Sequence, residues 1–174
     1  MATDSRRMEI LKKAMEIEAN EKAFYERAAE AAETPMARQL FERLAFEEDA
    51  HTKKFQDIEK QLGSSDEWPD EKAPSWEGKE LKSVFAGMKA ASTPQVNGAK
   101  TELEAMKSAM AKELEAYDMY RSRSEEATSP AEKKFYTVLA GEERMHHLAL
   151  LDAFEFLTDP AGWYTVKEKW TLEG

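Results

Sequence analysis

Slid against itself by 95 positions, the chain matches its own second half: residues 14–55 align with 109–150, and 12 of the 42 pairs are identical. Ala14, Met15, Glu18, Tyr25, Glu30, Ala32, Pro35, Leu44, Ala45, Glu47, Glu48 and His51 meet Ala109, Met110, Glu113, Tyr120, Glu125, Ala127, Pro130, Leu139, Ala140, Glu142, Glu143 and His146. A unit used twice must fold twice in the same way and pack against its own copy. That restricts the architecture more than any other feature, and it marks the polar residues that both copies keep.

The unit is helical. Residues 6–33 contain neither Gly nor Pro, and Ile10, Leu11, Ala14, Met15, Tyr25, Ala28 and Ala32 return at the three- and four-residue steps of one helix face. Thr34-Pro35 ends that stretch and suits the cap and first position of the next helix, and Ser129-Pro130 repeats the device. The spacing predicts helices at about 6–33, 35–62, 101–127 and 130–157, with Gly63 stopping the second and capping boxes at Thr101–Glu104 and Ser129–Glu132. Residues 63–100, holding Pro69, Pro74 and Pro94 with Trp68 and Trp76, are too many for a hairpin link; 77–91 is predicted as a short helix inside them. Such a segment can cross a whole bundle, since a helix of ~28 residues spans roughly 42 Å. The expected fold is all-α: one domain over 1–174, a ferritin-like four-helix bundle of two helix hairpins joined by a long crossover, the second pair in the same up-down sense as the first. Trp163 and Trp170, in the tail 158–174, are expected to pack on the bundle.

Charge and cysteine usage narrow the chemistry. With 35 Asp and Glu against 25 Lys and Arg, the net charge is −10, which repels phosphate backbones and argues against nucleic-acid binding. Cysteine is absent, which removes thiol catalysis, iron–sulfur clusters and Cys-based iron or zinc sites. No secretory apolar block or run of ~18 apolar residues is present, so the expectation is a cytoplasmic protein that avoids membranes.

The repeated polar residues fall on the inward stripes. In the second helix Leu40, Leu44, Glu48, His51, Phe55, Ile58 and Leu62 follow core spacing; the fourth repeats it as Phe135, Leu139, Glu143, His146, Leu150, Ala153 and Leu157. Glu18 lies among Leu11, Ala14 and Tyr25, and Glu113 among Met106, Met110 and Tyr120. The middle of the expected core thus holds four Glu and two His. Unaccompanied, each buried carboxylate costs several kcal/mol, and the stripes of the second to fourth helices offer no Lys or Arg. Two divalent cations cancel the four negative charges. One Glu from each of two helices plus Glu-x-x-His from each of the others is the ligand set of di-iron and di-manganese carboxylate bundles, and mixed oxygen and nitrogen donors suit iron or manganese better than structural zinc.

Other polar residues receive plainer readings. Glu47 and Glu142 lie about 100° off the stripe centre and are taken mainly as flanking residues, and His147, whose mate is Thr52, as an incidental neighbour. Tyr25 and Tyr120, two turns beyond Glu18 and Glu113, are either core aromatics or phenols donating to a ligand carboxylate. Met8, Met15, Met88, Met106, Met110, Met119 and Met145 are expected to fill the core.

Glu18 with Tyr25, Glu48-Asp-Ala-His51, Glu113 with Tyr120, and Glu143-Arg-Met-His146 resemble the rubrerythrin family of the ferritin-like superfamily, over residues 6–157. The resemblance implies a non-haem di-iron centre that reduces hydrogen peroxide, and sometimes dioxygen, with Glu18, Glu48, His51, Glu113, Glu143 and His146 as ligands. Two departures stand out. The rubredoxin-like Cys₄ domain of typical members has no counterpart in a chain without cysteine. Many members also carry an extra Glu three residues after the ligand of the third helix; here that place is Ala116, and its mate on the first helix is Glu21. Glu21 is therefore either an equivalent carboxylate from the other half or a surface Glu beside a Lys.

The function expected from this is a di-iron peroxidase-type oxidoreductase. It would hold two iron ions (manganese or a mixed pair being the alternatives) and receive electrons from an external rubredoxin or flavoprotein reductase. A homodimer is expected by family analogy. A ferroxidase or iron-handling protein, or a structural dimetal scaffold, would present the same residues.

Overall fold

A computed structural model describes residues 2–65, 68–69, 98 and 100–165. Four long helices carry the architecture: α1 Ala2–Ala31, α2 Pro35–Ser65, α3 Lys100–Glu126 and α4 Pro130–Thr158, with a further helical turn at 160–165. Among the described residues there is no strand, and no helix is long and apolar enough to cross a membrane. α1 packs along α2 and α3 along α4, and the two hairpins meet through α1 against α3 and α2 against α4. This is the ferritin-like four-helix bundle. The expected helix at 77–91, Met88, Trp76, Trp170 and most of the crossover lie outside the described residues.

The ends of the helices show which local signals win. Thr34 caps α2 as expected, its Oγ1 accepting from the Ala37 N–H at 3.2 Å. Ser129 has the extended backbone of a cap and Pro130 follows, but its side chain makes no capping bond. Glu132, instead of turning back, accepts from Arg7 of α1 at 3.0 Å, so the expected box does not form. α3 starts at Lys100, which puts Thr101 inside the first turn, and α2 runs through Gly63 to Ser65. The link between α1 and α2 is secured from outside: Glu102 Oε2 accepts the backbone N–H groups of Glu33 and Thr34, each at 3.1 Å. Positions 7 and 102 are themselves repeat mates, each reaching the turn of the other hairpin.

Helix direction departs from expectation. Glu18 meets Tyr120 while Tyr25 meets Glu113, so α1 and α3 are antiparallel; His51 meets Glu142 while Glu47 meets His146, so α2 and α4 are too. A link that spans the bundle delivers the chain to the far end, where Glu102 touches the α1–α2 turn, and α3 must then run back against α1. The second pair therefore runs in the opposite sense to the first. These contacts obey a pseudo-twofold relation between the halves.

Two apolar clusters fill the bundle, one toward each end. One gathers Tyr25, Leu40, Phe41, Leu44, Met106, Leu150 and Phe156, the other Leu11, Phe55, Ile58, Leu62, Trp68, Phe135 and Tyr136. Fully burying side chains of this size contributes about 1.5–3 kcal/mol each. Trp163 packs edge-on against Phe156 at 5.3 Å and donates to Asp152 at 2.9 Å, so this part of the tail lies on the bundle as expected. Met106 is buried and Met8, Met15, Met110 and Met119 pack against the clusters, whereas Met145 is 40% exposed on the outer face of α4 and fills no core.

Candidate metal centre

Between the two apolar clusters the stripes bring Glu18, Glu48, His51, Glu113, Glu143 and His146 together, each no more than 3% exposed. They form two overlapping groups. Glu18, Glu48, His51 and Glu143 have ligand atoms within 4.8 Å of one another, and so do Glu48, Glu113, Glu143 and His146. Glu48 and Glu143 belong to both, which is the arrangement of two shared and two private carboxylates.

The imidazoles fix the polarity of the cluster. His51 Nδ1 lies 3.0 Å from Glu18 Oε2 and Glu48 Oε2 and 3.4 Å from Glu143 Oε1. His146 Nδ1 lies 3.0 Å from Glu48 Oε1 and 3.4 Å from Glu113 Oε2 and Glu143 Oε2. The two rings stand 5.7 Å apart and nearly parallel. On the far side of each ring, Nε2 meets a carboxylate: Glu142 at 3.1 Å from His51 and Glu47 at 2.8 Å from His146. A neutral imidazole whose Nε2–H donates outward presents the bare Nδ1 lone pair inward, toward three carboxylates. Lone pair facing lone pairs is repulsive unless a cation lies between.

The remaining polar atoms say the same. Glu48 Oε1, Glu113 Oε2, both Glu143 oxygens and His146 Nδ1 are buried without a properly aligned hydrogen bond among the described residues. Lacking a cation, the cluster can be quiet only by taking up protons. Burial alone would lower both imidazole pKa values, but the carboxylates around them raise both well above the usual histidine range. Burial, with Glu48 and Glu18 adding to it, pushes Glu143 well up. Burial lifts Glu18 to about 7 against the pull of His51. Glu48 stays low despite burial, because it alone lies 3.0 Å from both imidazoles. Two divalent cations, which would neutralise four carboxylates at once, fit this donor set without any of these protons.

Tyr25 on α1 donates its hydroxyl to Glu113, and Tyr120 on α3 donates to Glu18. Burial and the neighbouring carboxylates push both phenols well above the usual tyrosine range, so they remain donors. Of the two readings open from the sequence, the phenol tied to a cluster carboxylate describes the geometry. His147 turns to the Met110 carbonyl at 3.0 Å and takes no part.

Glu47 and Glu142 are more than flanking residues. Their 100° offset points them across the α2–α4 contact, each to the histidine of the other half, and their identity in both repeats was the signal that marked them. Arg43, by contrast, carries no mark in the sequence, yet its Nε binds Glu47 Oε1 at 2.5 Å. Glu21 is not a surface residue beside a Lys: it is 4% exposed, with Oε2 buried and without a hydrogen-bond partner. Lys22 pairs instead with Asp49 at 2.7 Å. Burial, followed by Glu48, Glu113 and Glu18, lifts the Glu21 carboxyl to about 9. It borders the cluster but belongs to neither four-residue group.

A scan against protein families matches the family described as Rubrerythrin over residues 9–154. No curated protein and no solved structure gives a significant match.

Proposed function

The chain belongs to the rubrerythrin family, and from that premise we propose that it is a di-iron oxidoreductase that reduces hydrogen peroxide to water, with dioxygen as a slower oxidant. The family suggests di-iron oxidoreductase chemistry in general. The observation that carries the narrower reading is the closure of the site: the cluster is walled by an apolar group on either side, and each histidine and private carboxylate is tied by a further bond. A centre that passes iron onward needs a polar route for a hydrated cation, whereas a small neutral oxidant needs none.

Glu18, Glu48, His51, Glu113, Glu143 and His146 would hold the metals, with Glu21 as an additional carboxylate near Glu48 and Glu113. Two ferrous ions bound there would supply one electron each, so that peroxide and two protons give two waters. Glu48 and Glu143 belong to both groups and would hold the pair close enough for one small molecule to address both. Tyr25 and Tyr120 fix the private carboxylates, and Glu142 and Glu47 fix the imidazole tautomer with Nδ1 inward. A groove of about 270 Å³ between α1 and α3, with Ile10, Ala14, Met119 and Tyr120 in its wall and Arg6, Glu9, Lys13 and Arg123 around it, reaches Tyr120 next to Glu18 and would give a small oxidant an approach. Re-reduction falls to an external donor, a rubredoxin-like protein or a flavoprotein, and the working form is a cytoplasmic homodimer.

The test is to load the protein with Fe(II) under anaerobic conditions and mix it with peroxide or dioxygen in a stopped-flow spectrometer. Rapid oxidation by peroxide with slow oxidation by dioxygen supports the proposal. The reverse order supports ferroxidase chemistry in its place, and the absence of any spectral change removes both. Size-exclusion chromatography of the same sample separates a dimer from a storage shell.

A further inference from the structure

The two tyrosines that hold the private carboxylates are repeat mates, but the rings beyond them are not alike. Tyr120 stacks on Tyr136 at 6.2 Å with the ring planes 16° apart, and Tyr136 abuts Trp68 at 5.6 Å. Exposure rises along this series from 1% at Tyr120 through 2% at Tyr136 to 8% at Trp68, so it leads outward from the cluster. In the other half Tyr25 stacks on Phe41 at 6.1 Å and 26°, nearly the geometry that Tyr120 keeps with Tyr136. Phe41 is the repeat mate of Tyr136, and Trp163 is that of Trp68. Trp163 is also 8% exposed and shares an apolar cluster with Tyr25 and Phe41. Each half thus supplies a tyrosine on a cluster carboxylate, a stacked ring and a tryptophan, and the stacked rings differ by one hydroxyl.

That hydroxyl decides what each series can do. A phenol or an indole yields an electron to a strong oxidant far more readily than a phenyl ring does, and stacked rings at these separations touch. Oxidising a phenol also needs a base for its proton. Tyr120 already donates to Glu18, and the charge of Glu132 bears on the Tyr136 phenol. We infer that Tyr120, Tyr136 and Trp68 form an electron relay, in which Trp68 supplies the electron that is missing when peroxide meets a centre able to give only one. The inference rests on the reading that the cluster is a peroxide-reducing dimetal site. Peroxide takes one electron from the metal and one from Tyr120 and, with two protons, leaves as two waters. Tyr120 passes its phenol proton to Glu18 and recovers it when Tyr136 refills its ring. Tyr136 does the same against Glu132 and is refilled by Trp68. Trp68 ends one electron short and releases its indole proton to water. The oxidising equivalent then rests on the most exposed ring of the series, where an external reductant can remove it, and not beside the ligands. Phe41 breaks the matching series at its middle, so Trp163 takes no part.

For the test, the full chain is loaded anaerobically with equal amounts of Fe(II) and redox-inactive Zn(II), so that chains holding one of each can give a single electron. Peroxide is added, freeze-quench EPR follows the organic radical, and exposure to air then fixes it as an oxidised side chain that peptide mass spectrometry locates. The expected result is a tyrosyl radical that gives way to a tryptophanyl one, with oxidation at Trp68 and none at Trp163. Tyr136→Phe, which installs the ring of the other half, should hold the radical on Tyr120 and abolish oxidation of Trp68. Trp68→Phe should leave the radical on tyrosine. Equal oxidation of Trp68 and Trp163 would reveal a diffusing oxidant and overturn the inference. So would undiminished oxidation of Trp68 in Tyr136→Phe, or a wild type whose iron is oxidised by peroxide without any radical or mark at Trp68. Each of these leaves the proposed function standing. Peroxide that leaves the bound Fe(II) untouched overturns both.

Discussion

Each imidazole of the cluster is held from two sides, and the outer carboxylate decides how strongly the inner nitrogen can donate. Glu142→Gln keeps the shape and an accepting oxygen opposite His51 Nε2 but removes the charge that favours the Nε2–H tautomer. Metal affinity is expected to fall about tenfold, read by competition with a coloured chelator, with the fold unchanged by circular dichroism. An unaltered affinity would make Glu142 a bystander. Glu21 yields a second expectation at this scale. Its carboxyl is raised from 4.5 to about 9, so the metal-free native state keeps a proton that the unfolded chain has already lost. The stability this contributes is fully present below about pH 4.5 and is lost as pH rises toward 9. In metal-free protein Glu21→Gln should therefore exceed the wild type by several kcal/mol at pH 9, with the gap closing toward pH 5, as urea denaturation at each pH would show. The repeat exposed the six cluster residues because both copies kept them. Arg43 stayed hidden because it occurs once, and Glu21, singled out only as the mate of Ala116, stayed ambiguous until its burial was known.

At the scale of the helices, sequence signals held where the partners are local and gave way where a distant side chain competed. Thr34 and Ser129 look alike on paper, each followed by Pro, yet only Thr34 bonds the turn that it caps. Thr34→Ala should then cost about 1 kcal/mol and Ser129→Ala close to nothing, a contrast that paired thermal melts can measure. Equal losses would mean that the Ser129 side chain caps in solution. Glu132 had the spacing of a capping residue, but Arg7, 125 positions away, takes its carboxylate. Glu102 likewise serves another hairpin's turn. No window of sequence a few residues wide contains such partners. The four helices themselves were legible to within a few residues because their apolar period is long and uninterrupted, and Gly63 failed as a stop because an exposed glycine with open space around it costs a helix only about 1 kcal/mol.

The whole molecule is organised around a charge problem, and its solution should be visible as stability. The repeat foretold two hairpins and an inward acidic layer. Helix direction followed from the crossover and was misread: a link that crosses the bundle starts α3 at the end where α1 finishes, so α3 must oppose α1. Once α1 opposes α3, Tyr25 falls on Glu113 and Tyr120 on Glu18, and the polar layer closes with every helix contributing. That layer separates the two apolar clusters, so whatever neutralises it joins the two halves of the core. Protons can do this only while Glu18, near 7, and Glu143, pushed well above the usual carboxylate range, remain protonated, so the metal-free fold should weaken as pH rises through neutrality. Metal does it at any pH where it binds, adding about 2.7 kcal/mol per site at a hundredfold excess over Kd. Exhaustive chelation at pH 8 is thus expected to lower Tm by roughly 10–20 °C for two sites, taking 2–4 °C per kcal/mol for a domain of this size. Mn(II) and Fe(II) should restore it equally, since the effect is electrostatic and involves no electron transfer. Differential scanning calorimetry across pH 6 to 8 checks both parts. A Tm indifferent to chelation at every pH would mean that the carboxylates and imidazoles neutralise one another unaided, and the metal centre would lose its physical reason to exist.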